Sequence, residues 1–155
     1  MVYILLKIIH LLAVIVWLGG MAFAHFFLRP AVAALEPPVR LTLMRDVLRR
    51  FFAAVSIIVV LVLLSGLGMF GFTHHMAAQV GAKFSTPLAW TVMATLGIVM
   101  ILVFGHIRFA LFKRLDRAVQ AKDWPAGGQA MGKIRSLVAL NLALGTVIIL
   151  LLYFI

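Results

Sequence analysis

The sequence predicts an all-α integral membrane protein, folded as a bundle of four transmembrane helices. The 155 residues are 65% hydrophobic and have a mean hydropathy of +1.19, whereas soluble domains are nearer half apolar. Four apolar stretches, at residues 2–28, 51–73, 87–112 and 134–155, are each long enough to cross a bilayer, which takes about 20 helical residues. Little chain is left over, so residues 1–155 are expected to form a single membrane domain.

The first stretch is interpreted as a lasting transmembrane helix rather than a cleaved signal peptide. Ala22-Phe23-Ala24 has the small-x-small form of a cleavage site. No basic region precedes the apolar run, however, and apolar residues continue beyond that site to Leu28. Arg29-Pro30 then marks the end of the span.

An amphipathic interfacial helix is expected over residues 39–50, running into the second span. Pro37-Pro38 can open this helix, because proline is tolerated in a first helical turn. Apolar side chains recur at helical spacing along one face, opposite basic ones. The apolar set is Leu41, Met44, Val47 and Leu48.

The second half of the chain predicts two further helices and two breaks. Small residues over 65–71 end the second span; they let helices approach closely and would equally leave room for a cofactor plane. The loop that follows is expected to contain His74 and His75. The third span is expected to continue as a helix to about Lys122, and residues 123–128 to break the chain before the fourth helix.

The distribution of charge predicts the orientation in the membrane. Of the 14 lysine and arginine residues, only Lys7 and Lys83 lie outside residues 29–50 and 108–135. By the positive-inside rule these two basic segments are cytoplasmic, and both termini face outward. The net charge of +10 is therefore interpreted as topogenic. It indicates membrane lipid with anionic headgroups as a partner, and not nucleic acid.

Two histidines lie inside the predicted spans and are the leading candidates for function, because a histidine at membrane depth is costly. The helical rise places His10 about 10 Å and His106 about 28 Å below the outer surface. Both are predicted to point into the bundle, at separate depths. On the third span this inward face is chosen because Thr91 and Thr95 share it with His106. The alternative for each histidine is a hydrogen bond to a neighbouring hydroxyl or carbonyl group.

Further candidate ligands fall into two tiers around these histidines. The outer tier would gather His10, Met69 and either His74 or His75. The inner tier would gather Met21, His25, His106 and Asn141. Trp17 shares a face of the first span with His10 and would line a flat cofactor. The alternatives are packing for the methionines and Trp17, solvation for the peripheral histidines, and helix bridging for Asn141.

The available ligand types narrow the chemistry. Imidazole suits haem iron, copper and zinc, and thioether adds a preference for Cu(I) or haem. The absence of cysteine excludes thiolate metal sites and iron–sulfur clusters. The four acidic residues, Glu36, Asp46, Asp116 and Asp123, all lie in the basic segments, which argues against a buried proton relay and against magnesium or calcium sites. Haem b is the first choice of cofactor and copper the second.

Several stretches resemble the copper resistance D (CopD) family of membrane proteins. The opening has Lys7-x-x-His10 followed by Trp17 and Gly19-Gly20-Met21. Further matching stretches are Leu28-Arg29-Pro30-Ala31, Gly105-His106, Lys113-Arg114-Leu115, Asp123-Trp124-Pro125-Ala126, Ile134-Arg135 and Val138-Ala139-Leu140-Asn141-Leu142. The resemblance implies a multi-pass protein of a bacterial inner membrane with a role in copper handling. In such a membrane the termini that the charge distribution places outside would be periplasmic.

A second resemblance is to HemJ-type protoporphyrinogen oxidases, which are four-helix proteins that bind haem b. The shared elements are Lys7-x-x-His10, Trp17, a histidine in the third span, and Arg135 ahead of Asn141. The chain departs from that family's Asn-Glu-x-Pro stretch, because leucine follows Asn141.

These observations leave several functions open. The leading hypothesis is a redox metalloprotein that binds haem b or copper through His10 and His106, for electron transfer or for copper or haem handling. The alternatives are a porphyrinogen oxidase, a copper importer, and a structural subunit without a cofactor. A redox role adds a quinone or a redox protein as partner, and a pore through so narrow a bundle would need a homo-oligomer.

Overall fold

The computed structural model of the protein describes residues 1–154, so Ile155 of the predicted fourth span lies outside the described part. Four long helices make up the fold. They are α1 (Val2–Ala31), α2 (Pro37–Gln79), α3 (Leu88–Gln120) and α4 (Trp124–Phe154). All four are long and apolar enough to cross a membrane, and residues 1–154 contain no strand. The predicted fold class, an all-α membrane protein with four spans, is confirmed.

Helix α2 joins the predicted interfacial helix and the second span into one helix of 43 residues. At 1.5 Å per residue it is about 65 Å long, more than twice the hydrocarbon thickness of a bilayer. Its amphipathic first turns and its last turns therefore extend beyond the membrane core. His74 and His75 lie on this helix, so the prediction that they belong to a loop is wrong.

The break before α4 is shorter than predicted. Only residues 121–123 leave the helical conformation, and Lys122 there has a positive φ of 57°. Asp123 then caps the new helix, because its Oδ1 accepts a hydrogen bond from the Ala126 backbone N–H at 3.0 Å. Gly127 is helical rather than a breaker; a Cβ at this position would lie 3.1 Å from Leu41, so the glycine permits α4 to approach α2 closely.

Helices α1 and α3 each contain one π-helical turn, Ala24–Leu28 and Ile107–Leu111. In α1 the Arg29 backbone N–H bonds the Ala24 carbonyl, five residues back. Pro30 follows directly; it has no N–H to donate, and a wider turn gives its ring room against the preceding carbonyls. Both π turns lie where the basic residues concentrate, a part of the molecule that we call the basic end (residues 24–50 and 106–135).

Helices α1 and α2 pack antiparallel along their length. The Tyr3 and Phe72 rings lie 6.0 Å apart near one end, and further along the pair Gly68 lies against the Leu6 side chain. At the other end, a Cβ on Gly20 would meet the ring of Phe51. These contacts fix the register of the first span against the second.

Many of the most deeply buried side chains lie at the basic end or next to it. Leu115 and Ile134 in the basic end and Phe52 beside it are each at most 1% exposed, whereas no residue between 88 and 99 on α3 is buried. Asp116 joins the extensions of α2 and α3, since its Oδ1 lies 2.9 Å from Arg49 Nη2 and 3.8 Å from Arg45 Nε. Buried side chains and this ion pair thus join α2, α3 and α4 at the basic end.

Gly20→Ala is expected to destabilise the protein by about 1–3 kcal/mol, because an added methyl group overlaps the Phe51 ring and either displaces that ring from its packing or moves α2 away from α1. Gly19→Ala is the matched control, since its Cβ meets nothing within 4 Å. The control should gain up to about 1 kcal/mol from helix propensity. Unfolding of both variants in mixed micelles measures the difference; equal free energies of unfolding would contradict the close approach at Gly20.

Candidate functional site

His10 of α1 points at α2, where its Nδ1 lies 3.0 Å from Ser65 Oγ. The Ser65 hydroxyl also lies within hydrogen-bond distance of the Leu61 carbonyl, one turn earlier in α2. A hydroxyl has one proton, and a carbonyl can only accept. A serine that donates its proton to Leu61 can only accept from His10. A neutral His10 paired in this way carries its proton on Nδ1 and its lone pair on Nε2, the atom that can bind a metal ion.

Two small residues of α2 make room for the His10 ring. Ser65 is 2% exposed, and a Cβ on Gly66 would lie 3.6 Å from His10 Cε1. Sequence reasoning assigned the small residues of this stretch to close packing and did not single out Ser65. The signal for it was a hydroxyl side chain within an otherwise apolar span, but its pairing with His10 depends on the register of the two helices.

The other residues of the predicted outer tier lie further along α2. Met69 is one turn beyond Ser65, about 6 Å along the helix axis. The His74 ring packs edge-on against Phe84, with centroids 5.7 Å apart. His75 Nε2 lies 3.1 Å from the Gln79 side-chain nitrogen. Both histidines are about 14 Å along the axis from Ser65, so the structure does not bring them to His10.

The predicted inner tier is dispersed. Trp17 and Met21 are buried in the core, and the Trp17 ring packs edge-on against Phe104 at 6.2 Å. His25 lies in the π turn of α1 and lines a cleft at the basic end. His106 is exposed beside a shallow groove between α3 and α4.

The predicted inward orientation of His106 is wrong. The face that α3 buries carries Met100, Phe104 and Ile107, whereas Thr91 and Thr95, which guided the prediction, are exposed. The Thr95 hydroxyl donates to the Thr91 carbonyl at 2.8 Å. A threonine that satisfies its hydroxyl within its own helix can face lipid at little cost, so its polarity did not mark the inward face.

Asn141 bridges two helices. Its Nδ2 donates to the Met100 carbonyl of α3 at 3.0 Å, and the side chain is 1% exposed. The hydrogen bond of Asn141 therefore agrees with the helix-bridging alternative. Its Oδ1 acceptor is buried and has no hydrogen-bond partner among the described residues.

The described residues do not form a haem pocket between His10 and His106. One imidazole faces α2 and the other lies on the surface beside α4. Edge-to-face aromatic contacts fill the core instead, from Trp17 through Phe104 at 6.2 Å to Phe52 at 5.9 Å. Nor do residues 1–154 contain a cluster of three or more histidine and acidic side chains able to hold a metal ion. What the geometry does provide is one oriented imidazole, on His10.

Four apolar helices with an oriented histidine among them define a multi-pass helical membrane protein. A family model described as copper resistance protein D matches residues 45–155. This is most of the chain, and the protein belongs to the copper resistance protein D family. No curated protein and no solved structure matches it. Ser65 lies inside the matched region and His10 precedes it.

Proposed function

We propose that this protein handles copper in a bacterial inner membrane, with Cu(I) as the cargo and His10 as a ligand within the bilayer. The observation that carries the proposal is the bond from His10 Nδ1 to Ser65, which leaves Nε2 as a free ligand atom. Membership of the copper resistance protein D family favours copper over other metals that imidazole binds. The concentration of basic residues favours a cytoplasmic location for the basic end.

A neutral imidazole whose other nitrogen is held by a hydrogen bond is a well-oriented metal ligand. Copper accepts imidazole and, as Cu(I), thioether ligands. Met69, one turn along α2 from Ser65, supplies the nearest thioether of the predicted outer tier. Among the described residues no carboxylate side chain accompanies His10, because all four acidic residues lie at the basic end. They are Glu36, Asp46, Asp116 and Asp123. Few ligands suit a cargo ion, which must leave as well as bind.

Haem b and electron transfer stay predictions from the sequence, as do the quinone partner and the homo-oligomer. No contact among the described residues favours haem over copper at His10. The porphyrinogen oxidase hypothesis rests on the sequence resemblance to HemJ-type proteins. No contact among the described residues adds support for it.

His10→Ala is expected to lose the intramembrane Cu(I) site, measured by competition with a chromophoric Cu(I) chelator on the purified protein. Ser65→Ala should weaken binding by about 10–100-fold, the usual effect of removing the group that orients a metal-binding histidine. His75→Ala is the matched control, because this exposed histidine bonds only Gln79 among the described residues and should bind as the wild type does.

Equal Cu(I) affinity in the wild type and in His10→Ala would contradict the proposal. A visible spectrum of the same samples tests the haem hypothesis separately. A Soret band that shifts on reduction and is lost with His10 would replace copper by haem at this position. Copper uptake into vesicles that contain the wild type but not His10→Ala would extend binding to transport.

A further inference from the structure

A cleft of about 380 Å³ opens at the basic end, between the π turn of α1, the first turns of α2 and the beginning of α4. Its floor is apolar and consists of side chains buried in the protein core. They are Leu41, Met44, Leu48, Ile134 and Val138. The copper proposal uses none of these residues, so the cleft is a separate feature of the fold.

Three arginines lie around this cleft. Arg29, Arg40 and Arg135 line it together with His25, and no acidic residue does. Arg40 donates to the Ala33 carbonyl at 3.2 Å. None of these three arginines forms an ion pair among residues 1–154. Three guanidinium groups around one cleft repel each other unless an anion lies between them.

The length of α1 relates the cleft to the headgroup layer. Arg29 is about 40 Å along α1 from Val2, close to the full thickness of a bilayer with its headgroup layers, so a helix that begins in one headgroup layer reaches the other at Arg29. The apolar floor leads from this level toward the spans, along buried residues of α2 and α4. The arginines thus lie at the level of a phospholipid phosphate, and the apolar floor lies on the side of the spans, where the acyl chain of that lipid would begin.

We propose that this cleft binds an anionic phospholipid, with the phosphate between Arg29, Arg40 and Arg135 and the start of an acyl chain on the apolar floor. Guanidinium groups bind phosphate oxygens through paired hydrogen bonds, and basic pockets between spans suit anionic headgroups. The cavity is large enough for a headgroup and its glycerol. Inorganic phosphate offers the same oxygens but nothing for the apolar floor, so a lipid fits the whole cleft better.

The test is native mass spectrometry of the full chain in detergent, titrated with phosphatidylglycerol and, separately, with phosphatidylcholine. The double variant Arg29→Gln/Arg135→Gln should bind phosphatidylglycerol at least about tenfold more weakly than the wild type. Arg50→Gln/Arg114→Gln is the control, because it removes the same charge at the basic end from residues that do not line the cleft. It should retain affinity within about twofold.

A second variant tests the space in the cleft while leaving its arginines unchanged. Gly128 lines the cleft, and a Cβ there meets nothing within 4 Å, so the side chain of Gly128→Leu begins in open space and is expected to occupy the cleft. It should lose phosphatidylglycerol binding, whereas Gly105→Leu, whose Cβ also meets nothing within 4 Å and which lies outside the cleft, should retain it. Equal losses in the two double variants would overturn the proposal in favour of general surface attraction. Displacement of the lipid by millimolar inorganic phosphate, with no dependence on the acyl chain, would overturn it in favour of a phosphate site.

Discussion

Phe52→Ala is expected to destabilise the protein by about 3–5 kcal/mol, the usual cost of removing a phenylalanine from a packed core. Phe52 is 1% exposed, and its ring packs edge-on against Phe104 at 5.9 Å and Phe112 at 5.5 Å. The substitution leaves a cavity where α2 and α3 meet at the basic end. Helices in lipid associate through packing contacts rather than through the hydrophobic effect, so the lost contacts have no substitute.

Unfolding in mixed micelles, followed by far-UV circular dichroism, measures this loss. Phe27→Ala is the matched control, because that ring is 66% exposed and removing it opens no cavity in the bundle. The control should change the free energy of unfolding by less than about 0.5 kcal/mol, as is usual for surface substitutions. Similar losses in the two variants would mean that the packing of Phe52 against Phe104 and Phe112 does not stabilise the fold.

The spans could be predicted from the sequence because few backbone conformations are stable in lipid. Backbone groups in the bilayer must bond within the segment, so a long apolar stretch becomes a helix. The positions of the helix ends were harder to predict, because they depend on single residues. Asp123 caps α4, and the structure continues α2 through His74 and His75 to Gln79, where the sequence suggested a loop.

The site could be predicted only in part, because hydropathy fixes the depth of a residue and not the direction of its side chain. The depth argument separated His10 from His106, and the structure places them in different surroundings. The pairing of His10 with Ser65 depends on how α1 and α2 pack, and this is set by contacts such as Gly68 against Leu6. No periodicity within one span contains that information.

The π turns are a second reason why the site could be predicted only in part. A helical projection with a constant period of 3.6 residues loses its register at a π turn, which inserts an extra residue. A constant period would place Leu28 on the same face of α1 as Trp17. Leu28 instead lies in such a turn and is half-buried, whereas Trp17 is fully buried. The same turn positions His25 and Arg29 at the cleft of the basic end. Residues of α4 complete this cleft, so the sequence of α1 alone does not reveal it.

Asn141→Asp is expected to destabilise the protein by about 2.5–3.5 kcal/mol at neutral pH, the cost of an acidic side chain in the middle of a transmembrane helix. Asn141 is 1% exposed and donates to the Met100 carbonyl at 3.0 Å. An aspartate would replace that donor by a charged acceptor facing a carbonyl oxygen. No basic residue lies within the buried core around it, since the buried polar residues of the described chain are Ser65 and Asn141.

Asn141→Leu, which keeps the branched shape of the side chain, should by contrast stay within about 1 kcal/mol of the wild type. It loses one interhelical hydrogen bond, which averages about 0.6 kcal/mol in membrane proteins, and it removes the buried Oδ1 that has no partner among the described residues. The Met100 carbonyl keeps its own helical N–H partner within α3. Unfolding in mixed micelles compares the two variants directly. A loss in Asn141→Leu as large as that in Asn141→Asp would show that Oδ1 accepts a hydrogen bond from a group outside the chain, such as a bound water, and that the helix bridge is only part of the role of Asn141.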